Sequence, residues 1–174
     1  MSKLDEIKNA IRDVPDFPKQ GILFKDITPV LHDPRLFEYT IDLMADWVTE
    51  IKIDFITGIE ARGFIFGAAL ARKLDCGFVP IRKPGKLPYK TFQESYALEY
   101  GTNSVEVHQD AFFEDASVFL VDDLLATGGT AEAAVKLIQK CGAKIELIGF
   151  MIELSFLNGR AKLDQFPIKS LIYI

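Results

Sequence analysis

Val118-Phe119-Leu120-Val121-Asp122-Asp123-Leu124-Leu125-Ala126-Thr127-Gly128-Gly129-Thr130 is the stretch from which the rest of the chain is best read. Its first four residues are continuously apolar, as a strand covered on both faces should be. Two carboxylates close that strand, a run of small residues turns the chain, and Thr130 to Lys140, rich in Ala, reads as a helix. A strand, a glycine turn and a helix start make an anion site. The glycines let the backbone turn closely, the first amides of the helix have no partner inside it, and the helix dipole adds to them. Thr127 and Thr130 supply hydroxyls. The two acids repel further phosphate and suit neutral hydroxyls, a developing positive charge or a metal. A phosphorylated sugar satisfies both halves.

Reading outward, Asp54 to Thr57, Gly77 to Ile81, Ile145 to Ile152 and Ser170 to Ile174 are further strands, with helices over Phe64 to Leu74 and from Asp33-Pro34 onward. That second helix carries Phe37, Ile41, Met44 (or Leu43) and Trp47 on one face. Leu4, Ile7, Ile11 and Val14 predict an opening helix stopped by Pro15 and Pro18. A short helix is expected between Leu157 and Leu163. Ser95 to Tyr100 and Ser104 to His108 flank Gly101-Thr102-Asn103 as a hairpin, and Arg82 to Glu94 form a long loop. Strands alternating with helices imply an α/β fold: a mainly parallel twisted sheet flanked by helices. A small hood lobe is expected from about 1–33 and 153–174, over a core of about 34–152.

Bulk properties bound the function. The chain has 174 residues, 49% of them hydrophobic and fourteen of them Phe, enough for a real core. A net charge of −5 argues against a general nucleic-acid or membrane-surface binder, since both need a broad basic face. No leader and no membrane-length apolar run is read, and Cys76 and Cys141 share no metal or redox spacing. The expectation is a soluble cytoplasmic protein. Neither G-x-G-x-x-G nor G-x-x-x-x-G-K-[ST] occurs, which removes the dinucleotide oxidoreductase and the P-loop readings.

Two cationic features stand against the acidic background. Arg82, Lys83, Lys86 and Lys90 fall in one loop without an acid among them, and Pro84 and Gly85 would let it close and reopen over a ligand. Taken alone, such a loop is ordinary surface; beside a sugar-phosphate site its partner is a diphosphate. Arg62, in the Glu60-Ala61-Arg62-Gly63 turn, has a fork able to hold two phosphate oxygens.

The strand–loop–helix run resembles the 5-phosphoribosyl 1-diphosphate motif of the type I phosphoribosyltransferases, and Leu-Leu-Ala-Thr-Gly-Gly-Thr looks most like their adenine-specific branch. Four further motifs follow in order: Phe17-Pro18 through Gly21 with Phe24-Lys25-Asp26-Ile27-Thr28-Pro29; Glu60-Ala61-Arg62-Gly63-Phe64; Arg82-Lys83-Pro84-Gly85-Lys86-Leu87-Pro88; and Ser95-Tyr96-Ala97-Leu98-Glu99-Tyr100-Gly101. The resemblance covers nearly the whole chain. It implies that adenine and 5-phosphoribosyl 1-diphosphate become AMP and diphosphate, with Mg2+ carried mainly by the substrate, in a homodimer.

The resemblance also implies roles. Asp122, Asp123, Ala126, Thr127, Gly128, Gly129 and Thr130 would hold the ribose 5-phosphate. Glu60, Ala61, Arg62, Lys83 and Lys86 would meet the diphosphate, Arg62 and Lys86 acting in catalysis. Glu99 would be the acid/base carboxylate toward the purine. Phe24 would stack on the base, with Leu23 and Lys25 beside it and Leu154 as the opposite apolar wall. Two residues depart from the family pattern: Gln20 replaces the Pro before the glycine, and Lys25 replaces Arg. Lys is not a neutral exchange for Arg at a planar contact. The remaining rivals are a phosphoribosyltransferase for another base and an inactive ribose-phosphate sensor. The intact basic loop and Glu99 speak against the sensor.

Overall fold

A computed structural model of the chain describes residues 2–97 and 101–174, and the contacts gather into two units, residues 1–44 and 45–174. The first unit opens with α1 (Lys3–Ala10), capped by Ser2 and Asp5 exchanging side-chain and backbone hydrogen bonds. The helix is shorter than expected. Ile11 turns into extended backbone, and β1 (Arg12–Pro15) pairs antiparallel with β2 (Leu23–Asp26). Helical spacing from Leu4 to Val14 carried the sequence reading past the cap, because the pairing that pulls Arg12 to Pro15 out of the helix is tertiary. A short α2 (Thr28–His32) follows, then α3 (Pro34–Ala45), where Asp33 caps the expected start by accepting from the amides of Arg35 and Leu36.

The second unit is built on a five-stranded, wholly parallel sheet: β3 (Phe55–Ile59), β4 (Gly77–Ile81), β7 (Ser117–Leu125), β8 (Lys144–Glu153) and β9 (Ile168–Tyr173), in the order β4-β3-β7-β8-β9. β5 (Thr91–Ala97) and β6 (Thr102–His108) form the predicted hairpin, paired from Thr91↔His108 to Ala97↔Thr102. Its first strand begins earlier than read, so the loop ends at Lys90.

The sheet is covered on both faces. α4 (Arg62–Leu74) lies on one, where Gly58 and Gly67 make room for close helix–strand approach. On the other, α5 (Gly129–Lys140) and the hairpin bury Ala134, Leu137, Ile138, Val105 and Val107 against Ile59, Val118, Leu120 and Ile148. This is why β7 reads as a continuous apolar run. β9, in the segment expected to belong to a hood, is a sheet strand; the hood itself stays a proposal.

The order of strands places the site. From β3 the chain moves outward to β4 through α4, and from β7 it moves the other way to β8 through α5. β3 and β7 are therefore neighbours whose connections diverge, and ligands of open α/β sheets bind beyond the carboxyl ends of such strands.

Candidate active site

Strand β7 continues through the two acids to Leu125, so Asp122 and Asp123 stand on the sheet and not in the loop after it. Pairing of Asp122, Leu124 and Leu125 with β8 fixes their backbone. The Asp123 amide donates to Asp122 Oδ1 at 2.9 Å, and Arg62 Nε meets Asp123 Oδ2 at 2.7 Å. Asp123 is buried, at 5% exposure. Gly63, the second residue of α4, leaves the space that the Asp122 carboxylate occupies: a Cβ there would stand 2.8 Å from Oδ1.

These groups share a cavity of about 320 Å³ lined by Ile59, Glu60, Ala61, Arg62, Tyr96, Asp122, Asp123, Leu124 and Thr130. The ends of β3 and β7 and the start of α4 thus converge with the last described residues of β5. Burial, and then the neighbouring Asp123 charge, push the Asp122 carboxyl well above the ordinary carboxylate value. Burial raises Asp123 as well, and the Arg62 guanidinium offsets part of that. The pair suits hydrogen bonding to sugar hydroxyls in a partly dry site.

The loop after β7 makes a second, smaller recess of about 80 Å³, lined by Asp122, Leu124 to Ala131 and Phe150. Gly128 caps α5 with φ +79°, a left-handed conformation that disfavours any residue with a Cβ. The first amides of a helix have no partner inside it, which is the chemistry that takes an anion. Ala126, Thr127, Gly128, Gly129 and Thr130 all line this recess, and Thr130 and Asp122 line both spaces. A smaller and a larger space therefore adjoin at the end of β7.

The diphosphate candidates divide. Ala61 and Arg62 face the acid cavity, across a Glu60–Ala61 peptide that is cis. Glu60 lines it too, but its carboxylate is committed to the basic loop: Arg82 Nε and Nη2 donate to it at 3.1 Å each, and so does the Lys83 amide. The Arg82 hydrogen bond holds the Glu60 carboxyl below its usual range. Glu60 thus anchors the loop by its side chain. Glu106, buried at 9%, adds a second anchor by accepting from the Gly85 amide, and the Lys86 carbonyl accepts from Arg82. Lys83, Lys86 and Tyr89 are exposed.

Leu23, Phe24 and Lys25 lie on β2 in the first unit, and Leu154 follows β8 in the second. The Phe24 ring meets Phe17 edge-on at 5.1 Å. Lys25 Nζ is bound to Asp13 Oδ1 at 2.6 Å, with the side chain 13% exposed. Lys25, the departure from Arg, is therefore engaged across the β1–β2 pair. Glu99 lies outside the described residues, as do Leu98 and Tyr100. Tyr96, three residues earlier, lines the acid cavity. Sequence reasoning did not single out Tyr96, Arg82 as the loop's fork, or Glu106. Arg82 was visible as a charge but not as a partner, since Glu60 lies 22 residues away.

The family described as phosphoribosyl transferase domain matches residues 28–169. Adenine phosphoribosyltransferase of Gloeobacter violaceus is 57% identical over 162 residues, 93% of this chain and 95% of that protein. The crystal structure of adenine phosphoribosyltransferase from Thermoanaerobacter pseudethanolicus matches with a TM-score of 0.96 at 55% identity, over 98% of this chain and 99% of that one. The Saccharomyces cerevisiae adenine phosphoribosyltransferase, complexed with D-2,5-dideoxy-2,5-imino-altritol 1,6-bisphosphate and adenine, matches with a TM-score of 0.93 at 42% identity, over 97% and 98%. Matched across most of its length by the family and nearly end to end by these relatives, the chain belongs to the phosphoribosyltransferase family.

Proposed function

We propose that this chain transfers the 5-phosphoribosyl group of 5-phosphoribosyl 1-diphosphate to adenine, giving AMP and diphosphate, the activity named for its relatives at 57% and 55% identity. The observation that carries it is the adjacency of the glycine-turned anion recess and the Asp122–Asp123–Arg62 cavity at the β3–β7 switch point. The yeast relative, held with a bisphosphate and adenine, fits the same combination of anion and base.

In this reaction the bond from the anomeric carbon to the diphosphate oxygen breaks, a purine nitrogen bonds to that carbon, and the purine gives up its imidazole proton. Amides and hydroxyls of Thr127 to Thr130 hold the monoester, and Asp122 and Asp123 hold the ribose hydroxyls. Arg62 neutralises charge gathering on the leaving diphosphate, and a fixed cation there is worth more the less water reaches it. Lys83 and Lys86 approach from a loop tethered at Arg82 and Gly85. Glu99 manages the purine proton, and Phe24, Leu23, Lys25 and Leu154 receive the base.

Among the described residues no group of three His, Cys, Asp or Glu side chains could cage a metal. A pair of adjacent carboxylates does fit Mg2+ carried on substrate phosphates, which needs only one or two protein ligands. When bound it would neutralise the diphosphate, with Asp122 or Asp123 as the protein oxygens in reach. Homodimer formation rests on the family resemblance, and a cytoplasmic location on the free Cys76 and Cys141, which suit a reducing compartment. Among the described residues no helix is long and apolar enough to cross a membrane.

Incubating the protein with 5-phosphoribosyl 1-diphosphate, Mg2+ and a panel of free bases tests the reading. AMP from adenine is expected to dominate. A different monophosphate would transfer the assignment to another base, and no product from any base would remove the enzymatic reading.

A further inference from the structure

The recess for the monoester is backed by chain as well as bounded by its own loop. Gly159 lies directly against it: a Cβ on Gly128 would collide with the Gly159 carbonyl, and a Cβ on Gly159 would collide with the Ala126 carbonyl and come within 2.9 Å of the Gly128 nitrogen. Backbone thus touches backbone, with a glycine on each side. Such a contact fixes the loop only if Gly159 is itself fixed, and the segment around it has little regular structure. It consists of two short 3-10 turns, Ser155–Leu157 and Gly159–Lys162, joined at Asn158 in the left-handed region.

A polar lock centred on a buried carboxylate supplies the constraint. Arg160, next to Gly159, donates from Nε to Glu153 Oε1 at 3.0 Å, from Nη2 to Glu153 Oε2 at 2.6 Å, and from Nη1 to the Ile168 carbonyl at 3.1 Å. Ser170 Oγ on β9 donates to Glu153 Oε2 at 2.6 Å. Glu153 is 6% exposed and is the last residue of β8, paired with Leu125, the last residue of β7 before the loop. The Leu154 amide then donates to the Leu125 carbonyl at 2.9 Å. The ends of β7 and β8, the start of β9, one fork and one glycine contact form a path that closes on the Ala126–Gly128 turn.

We infer that Arg160, Glu153 and Ser170 are positioning residues for the monoester site: they press the Gly159 backbone onto the Ala126–Gly128 turn and so set how well its amides grip the 5-phosphate. This rests on the reading of residues 126–130 as the monoester cradle and adds residues outside it. None of the three lines the recess, so they act through the loop. The planar fork matters, because Lys at position 160 keeps the charge and loses the two-point contact.

The test compares Arg160→Lys and Glu153→Gln with the unaltered protein, and uses Ser170→Ala, which removes one hydrogen bond, as a milder variant should the others fold poorly. Melting temperature and circular dichroism are recorded alongside KM for each substrate, kcat and the Kd of ribose 5-phosphate by calorimetry. The expected result is a rise of at least about tenfold in KM for 5-phosphoribosyl 1-diphosphate and in Kd for ribose 5-phosphate, with KM for adenine within about twofold. Ser170→Ala should shift the same constants in the same direction by less. A lowered melting temperature with ribose 5-phosphate affinity unchanged would overturn the inference, since a purely structural network behaves that way. So would equal losses for both substrates. Should the unaltered protein bind ribose 5-phosphate yet form no AMP, the proposed function fails while the binding comparison still decides this inference. Should it bind no ribose 5-phosphate, both fall.

Discussion

After β7 the chain turns through Ala126 to Gly128, and after β4 it runs through Arg82 to Lys90; in the proposed reaction both segments meet phosphate. The first is made of backbone. A left-handed Gly128, the start of α5, the pairing of β7 with β8 up to Leu125 and the Gly159 contact leave its amides little freedom. The second is pinned by backbone only at its two ends, where Arg82 and Glu106 exchange amide–carbonyl hydrogen bonds at 2.9 and 2.7 Å and the Lys90 carbonyl accepts from the Gln109 amide at 2.9 Å. Between them its tethers run to side chains, from Arg82 and the Lys83 amide to Glu60, from the Gly85 amide to Glu106, and over a long 3.4 Å from the Tyr89 amide to His108. The difference teaches a division of labour. The monoester stays on the ribose throughout and suits a fixed cradle, whereas diphosphate must be covered and then released, which suits a tethered loop.

Substitutions can break this contrast, and the largest effect is expected at a residue outside both segments of the sequence. Glu99→Leu is expected to lower kcat by about 10²–10⁴ while leaving the Kd of 5-phosphoribosyl 1-diphosphate nearly unchanged. A near-normal turnover would remove Glu99 from the chemistry. Asp123→Ala strips Arg62 of a buried partner and the proposed ribose site of an acceptor; kcat/KM for 5-phosphoribosyl 1-diphosphate should fall by about 10²–10³. Unchanged affinity would sink the hydroxyl-binding role.

Gly128→Ala attacks the fixed cradle. The left-handed backbone and the Gly159 carbonyl both oppose a Cβ, so stability should drop by about 1–3 kcal/mol and KM for 5-phosphoribosyl 1-diphosphate should rise more than about tenfold. Glu60→Gln attacks the tether. Arg82 is 32% exposed in this pair, so solvent screens it, and the stability loss should stay under about 1 kcal/mol with KM for 5-phosphoribosyl 1-diphosphate raised about threefold. If the tether variant were the more damaging of the two, the division of labour would be reversed.

Acids at the strand ends should also respond to pH with opposite sign. The Arg160 hydrogen bond, assisted by Ser170, holds the Glu153 carboxyl below its ordinary value of 4.5. Its stabilisation is therefore full above that value and lost as pH falls through the depressed folded-state value. Asp122 and Asp123 are raised, so their ionisation weakens the fold as pH rises, and falling pH relieves it. Melting curves from about pH 7 to about pH 3 should show the gap between the unaltered protein and Glu153→Gln widest near neutrality and closing in acid. A gap independent of pH would contradict the lock's charge.

How much of this the sequence shows depends on whether the determinants are local. The β7 run, the Gly128 turn and the α5 start are consecutive, so strand, turn and helix start are all legible in thirteen neighbouring residues. The strand ending was placed too early, at Val121, because carboxylates read as loop when pairing with β8 is unseen. α2, five residues long, is too short to show a period. Thr91 to Glu94 carry no strand pattern of their own, since their strand character comes from pairing with residues 105 to 108 across the hairpin. The Glu60–Arg82 and Glu153–Arg160–Ser170 links join positions 22, 7 and 17 residues apart and carry no spacing signature. Their charges were legible, and their partners were not.

The most direct measurement is a crystal structure of the protein with 5-phosphoribosyl 1-diphosphate and Mg2+. The account predicts the monoester hydrogen-bonded to the amides of residues 127–130 and the ribose hydroxyls on Asp122 and Asp123, with the diphosphate toward Arg62. A monoester seated on the Arg82–Lys90 loop, or a ribose with neither acid in contact, would contradict it.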